Sequence, residues 1–311
     1  MSELTVVMYH YVRDLKLSRY PGIKGLELSR FRSQLRYLSK NFRFVTMAEV
    51  VHSLQSGDCL PDKAALLSFD DGYIEHYELC FPLLAEAGIE GSFFPPVAPV
   101  RDRVLLDVNR VHFILAVKDA ETLAIAIDRH VEENREEFGL QSVAEYRALW
   151  AKPNRFDTAE TIYVKRMLQV ALPDRLRNSL AKALFAQFVA RDEDEFSAEL
   201  YCSAAQLREM QGAGMYIGSH GCDHVWLNAV DEVKQRAEVL GSLNFLRSIG
   251  SPVDDYWAIA YPYGGWDESL LSILRETNCT AGFTTEPAVA RLGEHAPLLL
   301  PRLDTNDFQV H

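Results

Sequence analysis

The sequence predicts an α/β protein: a parallel barrel of about seven or eight strand–helix units, interrupted by a helical insertion. Three observations predict it. Short, continuously apolar runs alternate with helical patterns at both ends of the chain, as parallel strands covered by helices require. The alternation lapses in the middle. Of the 17 glycines, 16 lie outside residues 92–211, so the turns that punctuate a sheet are missing there.

The elements follow in order. LTVVMYH (4–10) is apolar and rich in β-branched residues, and reads as a buried strand. Ser29 is placed to cap a helix over FRSQLRYLSK, where Phe31, Leu35 and Leu38 recur at helical spacing. FRFVT is a short strand, MAEVVHSLQSG a helix stopped by Gly57, and KAALLSFD (63–70) a second buried strand. After a turn at Gly72 comes a helix through Leu79, Leu83 and Leu84 that Gly88 ends, then a strand over GSFFPPV (91–97). The later chain resumes with AAQLREMQGAG as helix, MYIGSH as strand and VDEVKQRAEVLGSLNFLRSIG as a long helix ending at Gly250. YWAIAYPYG, CTAGFTT and PLLLPRL read as further strands, with ESLLSILRET a helix between the first two.

The middle, residues 99–202, is rich in Ala, Leu, Glu and Arg, with helical patterns such as DRLRNSLAKALFAQFVA. It reads as a helical insertion, a cap or lid over a barrel formed by 1–98 and 203–311. In such barrels the chemistry gathers where strands end and loops begin.

Bulk composition narrows the function. The 311 residues carry a formal charge of −12 and no Lys/Arg-rich stripe, which argues against a nucleic-acid partner. No stretch approaches the roughly 20 apolar residues of a membrane span, so no transmembrane segment is expected. The N-terminal MSELTVVMYHYV has no basic region before its short apolar run, and the five cysteines are odd in number with no CxxC. Both point to the cytoplasm.

Three short stretches can carry chemistry. KAALLSFD runs into Asp70-Asp71-Gly72. Adjacent carboxylates at the end of a buried strand are costly unless each has a use, because neighbouring like charges raise a pKa or demand a cation. Side chains alternate along a strand, so a turn must begin here for both to face one cavity. The bland alternative has Asp70 capping the next helix and Asp71 in solvent. GSHGCDHVWL (218–227) then places His220 and His224 four apart, where one helical turn would let both imidazoles meet one ion. Together with Asp71 they make one carboxylate and two imidazoles, a set that leaves positions open for water and substrate as in catalytic zinc sites. AIAYPYGGWD (258–267) breaks a strand into a tight Pro–Tyr–Gly–Gly loop able to aim backbone N–H groups at a substrate oxygen.

In this order, SFDDG, SHGCDH and YPYG resemble the motifs of the polysaccharide deacetylase family, the NodB-homology domain of carbohydrate esterase family 4. The resemblance covers roughly 64–97 and 203–303 and leaves the insertion out. It implies a distorted barrel of the NodB type, with Asp70 as general base and Asp71, His220 and His224 as ligands of one divalent metal, zinc foremost. Tyr263 would supply a backbone N–H to the oxyanion. The implied reaction removes an acetyl group from an N-acetylated sugar or glycan precursor.

The chain departs from the family pattern at two points. The usual arginine of the third motif is absent, since Ala260 and Tyr261 precede Pro262, and no late LxH histidine stands near LLLPRLD. His10, at the end of the first strand, is the substitute for the acid that protonates the leaving amine. Arg302, at the end of the last, is the substitute for the arginine. Two other readings compete: a sugar-binding protein that keeps the fold without turnover, and a two-histidine, one-carboxylate iron oxygenase. The second carboxylate, Asp70, speaks against both, because a bare metal site needs only Asp71.

Overall fold

The computed structural model describes residues 2–154 and 157–308, so Met1, residues 309–311 and residues 155–156 of the sequence-predicted domains lie outside it. The chain divides into two compact units. One comprises 1–14, 25–104 and 197–311; the other comprises 15–24 and 105–196.

Among the described residues, seven parallel staves close the ring of the first unit, and the short strand Arg43–Phe44 pairs in parallel with the start of Ala64–Asp70. β1 (Ser2–Tyr9), β2 (Ala64–Asp70), β3 (Gly91–Phe94) and β4 (Tyr216–Ile217) pair side by side. Ser219, just beyond β4, bridges in parallel to Ile259 of β5 (Trp257–Ala260), which pairs with β6 (Cys279–Phe283). Phe283 bridges to Leu300, and the same segment continues into β7 (Leu303–Asp304), which pairs in parallel with β1. The circuit closes, giving the barrel the alternation predicts.

Burial follows strand parity. Leu67 and Phe69 of β2 pack with Val7 and Tyr9 of β1 against the surrounding helices. Leu4, Val6, Leu66, Phe94, Ala260 and Phe283 form a separate interior cluster. Fully burying one such Leu or Phe contributes roughly 1.5–3 kcal/mol, so these two layers supply the stability from which a polar site must be offset.

Several elements differ from expectation. Leu26–Glu27 pairs in parallel with Val12–Arg13 and runs straight into the helix Leu28–Asn41, so Glu27 holds the cap position and Ser29 lies inside the first turn. The strand after Gly88 stops at Phe94, because Pro95 and Pro96 offer no amide hydrogen to a ladder, and the helix Val97–Asp102 starts at once. Ala290–Leu292 adds an antiparallel strand on β1 that the pattern did not announce. The helix predicted through Leu79 opens with a π-helical turn, His76–Cys80.

The second unit is helical, from Asp107–Val117 through Asp174–Phe188 to the first residues of the helix Glu193–Leu200. Tyr20, from the segment 15–24, packs edge-on against Phe113 and Phe196. That explains why ten residues distant in sequence join these helices.

Candidate active site

Asp70 is the last residue of β2 and has the parity of Leu66, so its carboxylate points into the barrel. Asp71 turns at once into the left-handed region, with φ 73°, and Gly72 follows at φ 65°. The turn therefore starts one residue earlier than Gly72, and this flip is what lets two consecutive carboxylates share one cavity. A Cβ on Gly72 would stand 2.7 Å from the Pro95 Cβ, so the second turn residue has to be glycine.

Asp71 is buried and divided between two sets of neighbours. Its Oδ2 accepts a 2.6 Å hydrogen bond from the Tyr73 hydroxyl. Its Oδ1 faces His220 Nε2 at 3.4 Å and His224 Nε2 at 3.1 Å. Burial alone would raise the Asp71 carboxyl, but the two imidazoles beside it hold it well below the usual carboxylate range.

The predicted helical turn between the histidines does not form. Residues 218–224 run as a loop, with Gly221 at φ 71° and His224 at φ 53°, and the loop itself folds the two rings to 4.9 Å apart. His220 Nδ1–H donates to the Ala260 carbonyl at 2.6 Å, which fixes the tautomer and leaves the Nε2 lone pair toward Asp71. Two acceptors turned on each other in a buried place are stable only with a cation or a proton between them. The Oδ1 atom of Asp71 takes no hydrogen bond, and neither does His224 Nδ1. The ligand atoms of Asp71, His220 and His224 lie within 4.8 Å of one another, among the described residues a group able to hold a metal ion. Donor set, burial and the orphaned oxygen all fit a divalent ion.

Arg302 reaches Asp70. Its Nη1 lies 2.8 Å from Oδ1 and its Nη2 2.8 Å from Oδ2, while Nε donates to the Thr284 carbonyl at 2.9 Å and Nη1 also touches Ser68 Oγ at 3.3 Å. Burial pushes the Asp70 carboxyl up; the Arg302 guanidinium and the His220 imidazole outweigh it and hold the group below its ordinary value. His10 stands over the same carboxylate, with Nε2 3.9 Å from Asp70 Oδ2 and a side chain 41 % exposed. His76 is buried, its pKa lowered to about 4 by desolvation, and donates from Nε2 to the His10 carbonyl at 2.8 Å.

Tyr263 sits in the loop after β5 with φ 58°, in a 3-10 turn over Pro262–Gly264. Its ring lies 4.7 Å from that of His224 and stacks flat on Trp226, with centroids 4.5 Å apart and planes 4° from parallel. Cys222, between the two histidines, stays a neutral thiol, pushed up to about 12 by burial. All seven sequence-predicted site residues thus gather at the strand ends of one barrel. Tyr73 directly follows DDG, but nothing in the sequence pattern says that its hydroxyl reaches Asp71. Glu238, which binds the loop between the histidines, lies in a helix with no motif around it.

Comparison with known proteins gives the same direction. The family model described as polysaccharide deacetylase matches residues 171–282, a span that holds His220, His224 and Tyr263 but not Asp70 or Asp71. The Bacillus subtilis protein YxkH, a candidate polysaccharide deacetylase, is 32% identical over 85 residues, 27% of this chain and 30% of that one. Poly-beta-1,6-N-acetyl-D-glucosamine N-deacetylase of Escherichia coli K12 is 32% identical over 79 residues, 25% of this chain and 12% of that one. The chain thus matches less than a third of the length of these curated relatives. The deacetylase PplD of Streptococcus pyogenes superposes with a TM-score of 0.57 at 15% identity, covering 97% of this chain and 92% of that one. IcaB from Ammonifex degensii does so at 0.55 and 20% identity, covering 97% and 91%. At those identities the likeness speaks for the fold. The chain is thus similar to the polysaccharide deacetylase family in sequence over 171–282, and it shares the NodB-type fold of the solved deacetylases over most of its length.

Proposed function

We propose that the protein is a metal-dependent hydrolase that removes an acetyl group from an N-acetylated sugar or glycan precursor. The observation that carries the reading is the pairing of two buried sets at one mouth. A carboxylate gripped by a guanidinium, Asp70 with Arg302, stands beside a three-residue ligand group, Asp71 with His220 and His224.

Asp71, His220 and His224 would hold the ion, with zinc the first candidate. When bound, such an ion supplies a Lewis acid and makes water a stronger nucleophile near neutral pH. Asp70 takes the proton from the attacking water, and Arg302 keeps that carboxylate ionised and aimed. The Tyr263 amide donates to the oxygen on which charge develops, a role typically contributing ~3–4 kcal/mol. His10, half in solvent and close to Asp70, delivers the proton to the departing amine. The flat Trp226–Tyr263 pair offers a face for a sugar ring.

The same reading keeps 99–202 as an insertion on a barrel of 1–98 and 203–311. It also keeps the cytoplasm as the compartment. Cys59, Cys80, Cys202, Cys222 and Cys279 are all free thiols, as a reducing compartment allows. Separately, no helix among the described residues is long and apolar enough to cross a membrane.

The test is metal content and acetate release on the same samples, using wild type, His220→Ala and Asp70→Asn with a panel of N-acetylated sugars. The expected outcome is metal lost with His220, and metal retained but acetate release abolished with Asp70→Asn. Wild type that binds metal yet releases acetate from no sugar would sink the hydrolase reading.

A further inference from the structure

The loop that carries the two histidines has no regular structure of its own, so something else must set the distance between the rings. The long helix Glu232–Ile249 holds the loop with one face. Glu238 is buried, and its Oε2 accepts the backbone N–H groups of Cys222 at 2.6 Å and Asp223 at 2.9 Å, the residues between the histidines. Its Oε1 meets Lys234 Nζ at 2.8 Å, and the same ammonium reaches Asp223 Oδ2 at 2.5 Å, so the buried charge is neutralised without leaving the loop. One turn further along the helix, Ser242 Oγ lies 2.7 Å from Ser219 Oγ, which in turn accepts the Gly221 N–H at 3.3 Å. A Cβ added at Gly241 would stand 2.5 Å from Cys222 Sγ, and one added at Gly221 2.9 Å from Glu238 Oε2. The contact is close on both sides, and glycine is what permits it.

We propose that Glu238 is a positioning residue for the His220–His224 pair: through two backbone N–H groups it sets the loop curvature that aims both Nε2 atoms at Asp71. The inference rests on the metal-site reading above. A buried carboxylate taking two amide hydrogens is a strong, directional anchor, roughly twice as strong as a neutral acceptor. The amides it holds belong to Cys222, two residues after His220, and Asp223, one before His224, so a slack loop would move both ligands at once. Ser242 supports the same loop from its other end, through Ser219 next to His220.

The experiment measures zinc affinity by competition with a chromophoric chelator, and the cobalt(II) absorption spectrum, on the full chain carrying Glu238→Gln or Ser242→Ala. The melting temperature of each metal-free protein is recorded alongside. For Glu238→Gln the expected result is zinc binding weaker by roughly 10- to 100-fold, the usual effect of losing a partner one shell out from a metal, with an altered cobalt spectrum. Ser242→Ala shifts affinity in the same direction by less, and decides the matter if Glu238→Gln does not fold. A helix face that merely holds the fold would lower the melting temperature but leave zinc affinity and the cobalt spectrum of the folded protein unchanged. That result overturns the inference while the metal site stands. Wild type that binds neither ion overturns the metal-site reading, and this inference with it.

Discussion

Arg302 grips Asp70 at both oxygens, Nη1 on Oδ1 and Nη2 on Oδ2, each at 2.8 Å, in a part of the barrel closed to solvent. The forked geometry matters because a lysine would offer the charge at one point only. On the function proposed above, the pair would also stand in for the arginine missing before Pro262. The guanidinium arrives from the last stave instead of from the loop after β5.

Arg302→Met should leave a buried carboxylate without a counter-charge, a defect that costs about 3–5 kcal/mol. Urea unfolding at neutral pH measures it. The double variant Asp70→Asn, Arg302→Met should recover part of the loss, because no unpaired charge remains. Arg302→Lys should fold and bind metal, yet lose about a hundredfold in kcat with little change in KM, as expected when a reacting group is displaced by about an ångström. Unchanged kcat would show that Asp70 needs no fork.

Tyr73→Phe removes the 2.6 Å hydrogen bond to Asp71 Oδ2 and leaves that oxygen unsatisfied in the interior. The expected cost is about 1–3 kcal/mol in thermal or urea unfolding. Zinc affinity should fall as well, since the carboxylate is then free to rotate its second oxygen toward the imidazoles.

Removal of the ion should also be legible in stability. A ligand that binds only the folded state at 100 times its Kd stabilises by about 2.7 kcal/mol. Wild type with added zinc should therefore melt higher than after chelation, and the shift should vanish in His220→Ala. Equal melting temperatures in zinc and in chelator would argue that Asp71, His220 and His224 hold no ion.

A pH dependence arises away from the site. Glu90 has its carboxyl raised to about 7 by burial, and its Oε1 accepts the Met47 N–H at 2.6 Å at the start of the helix Met47–Ser56. A folded pKa above the unfolded one adds stability that is fully present below the unfolded value, near 4.5, and is lost as pH rises through about 7. Between pH 8 and pH 5 the wild type should gain stability relative to Glu90→Gln. Parallel melting curves for the two proteins across that range would count against the assignment.

Much of this was readable in the residues. Asp70, Asp71, His220, His224 and Tyr263 sit in contiguous motifs at strand ends, and a parallel barrel brings strand ends to one face. Arg302 and His10 were reachable by the weaker argument that they too end strands. Glu238 was not, because a carboxylate in an 18-residue amphipathic helix looks like any solvated charge until its burial is known. The turn conformation of Asp71 and His224 was hidden for a different reason. Non-glycine residues at positive φ are set by what surrounds them, and residue type gives little warning. Residues 15–24 join the helices for a comparable reason, through contacts such as Tyr20 on Phe113 and the Lys24–Asp157 ion pair that residue type does not announce.

Asp70 and Arg302 are separated by 232 positions along the chain. Arg302 stands one position before β7, the stave that pairs with β1 and closes the ring. On the proposed reading, the chemistry therefore depends on the closed ring of strands as much as on the motifs themselves. Lesions far from the mouth that loosen β7 would silence turnover before they unfold the protein.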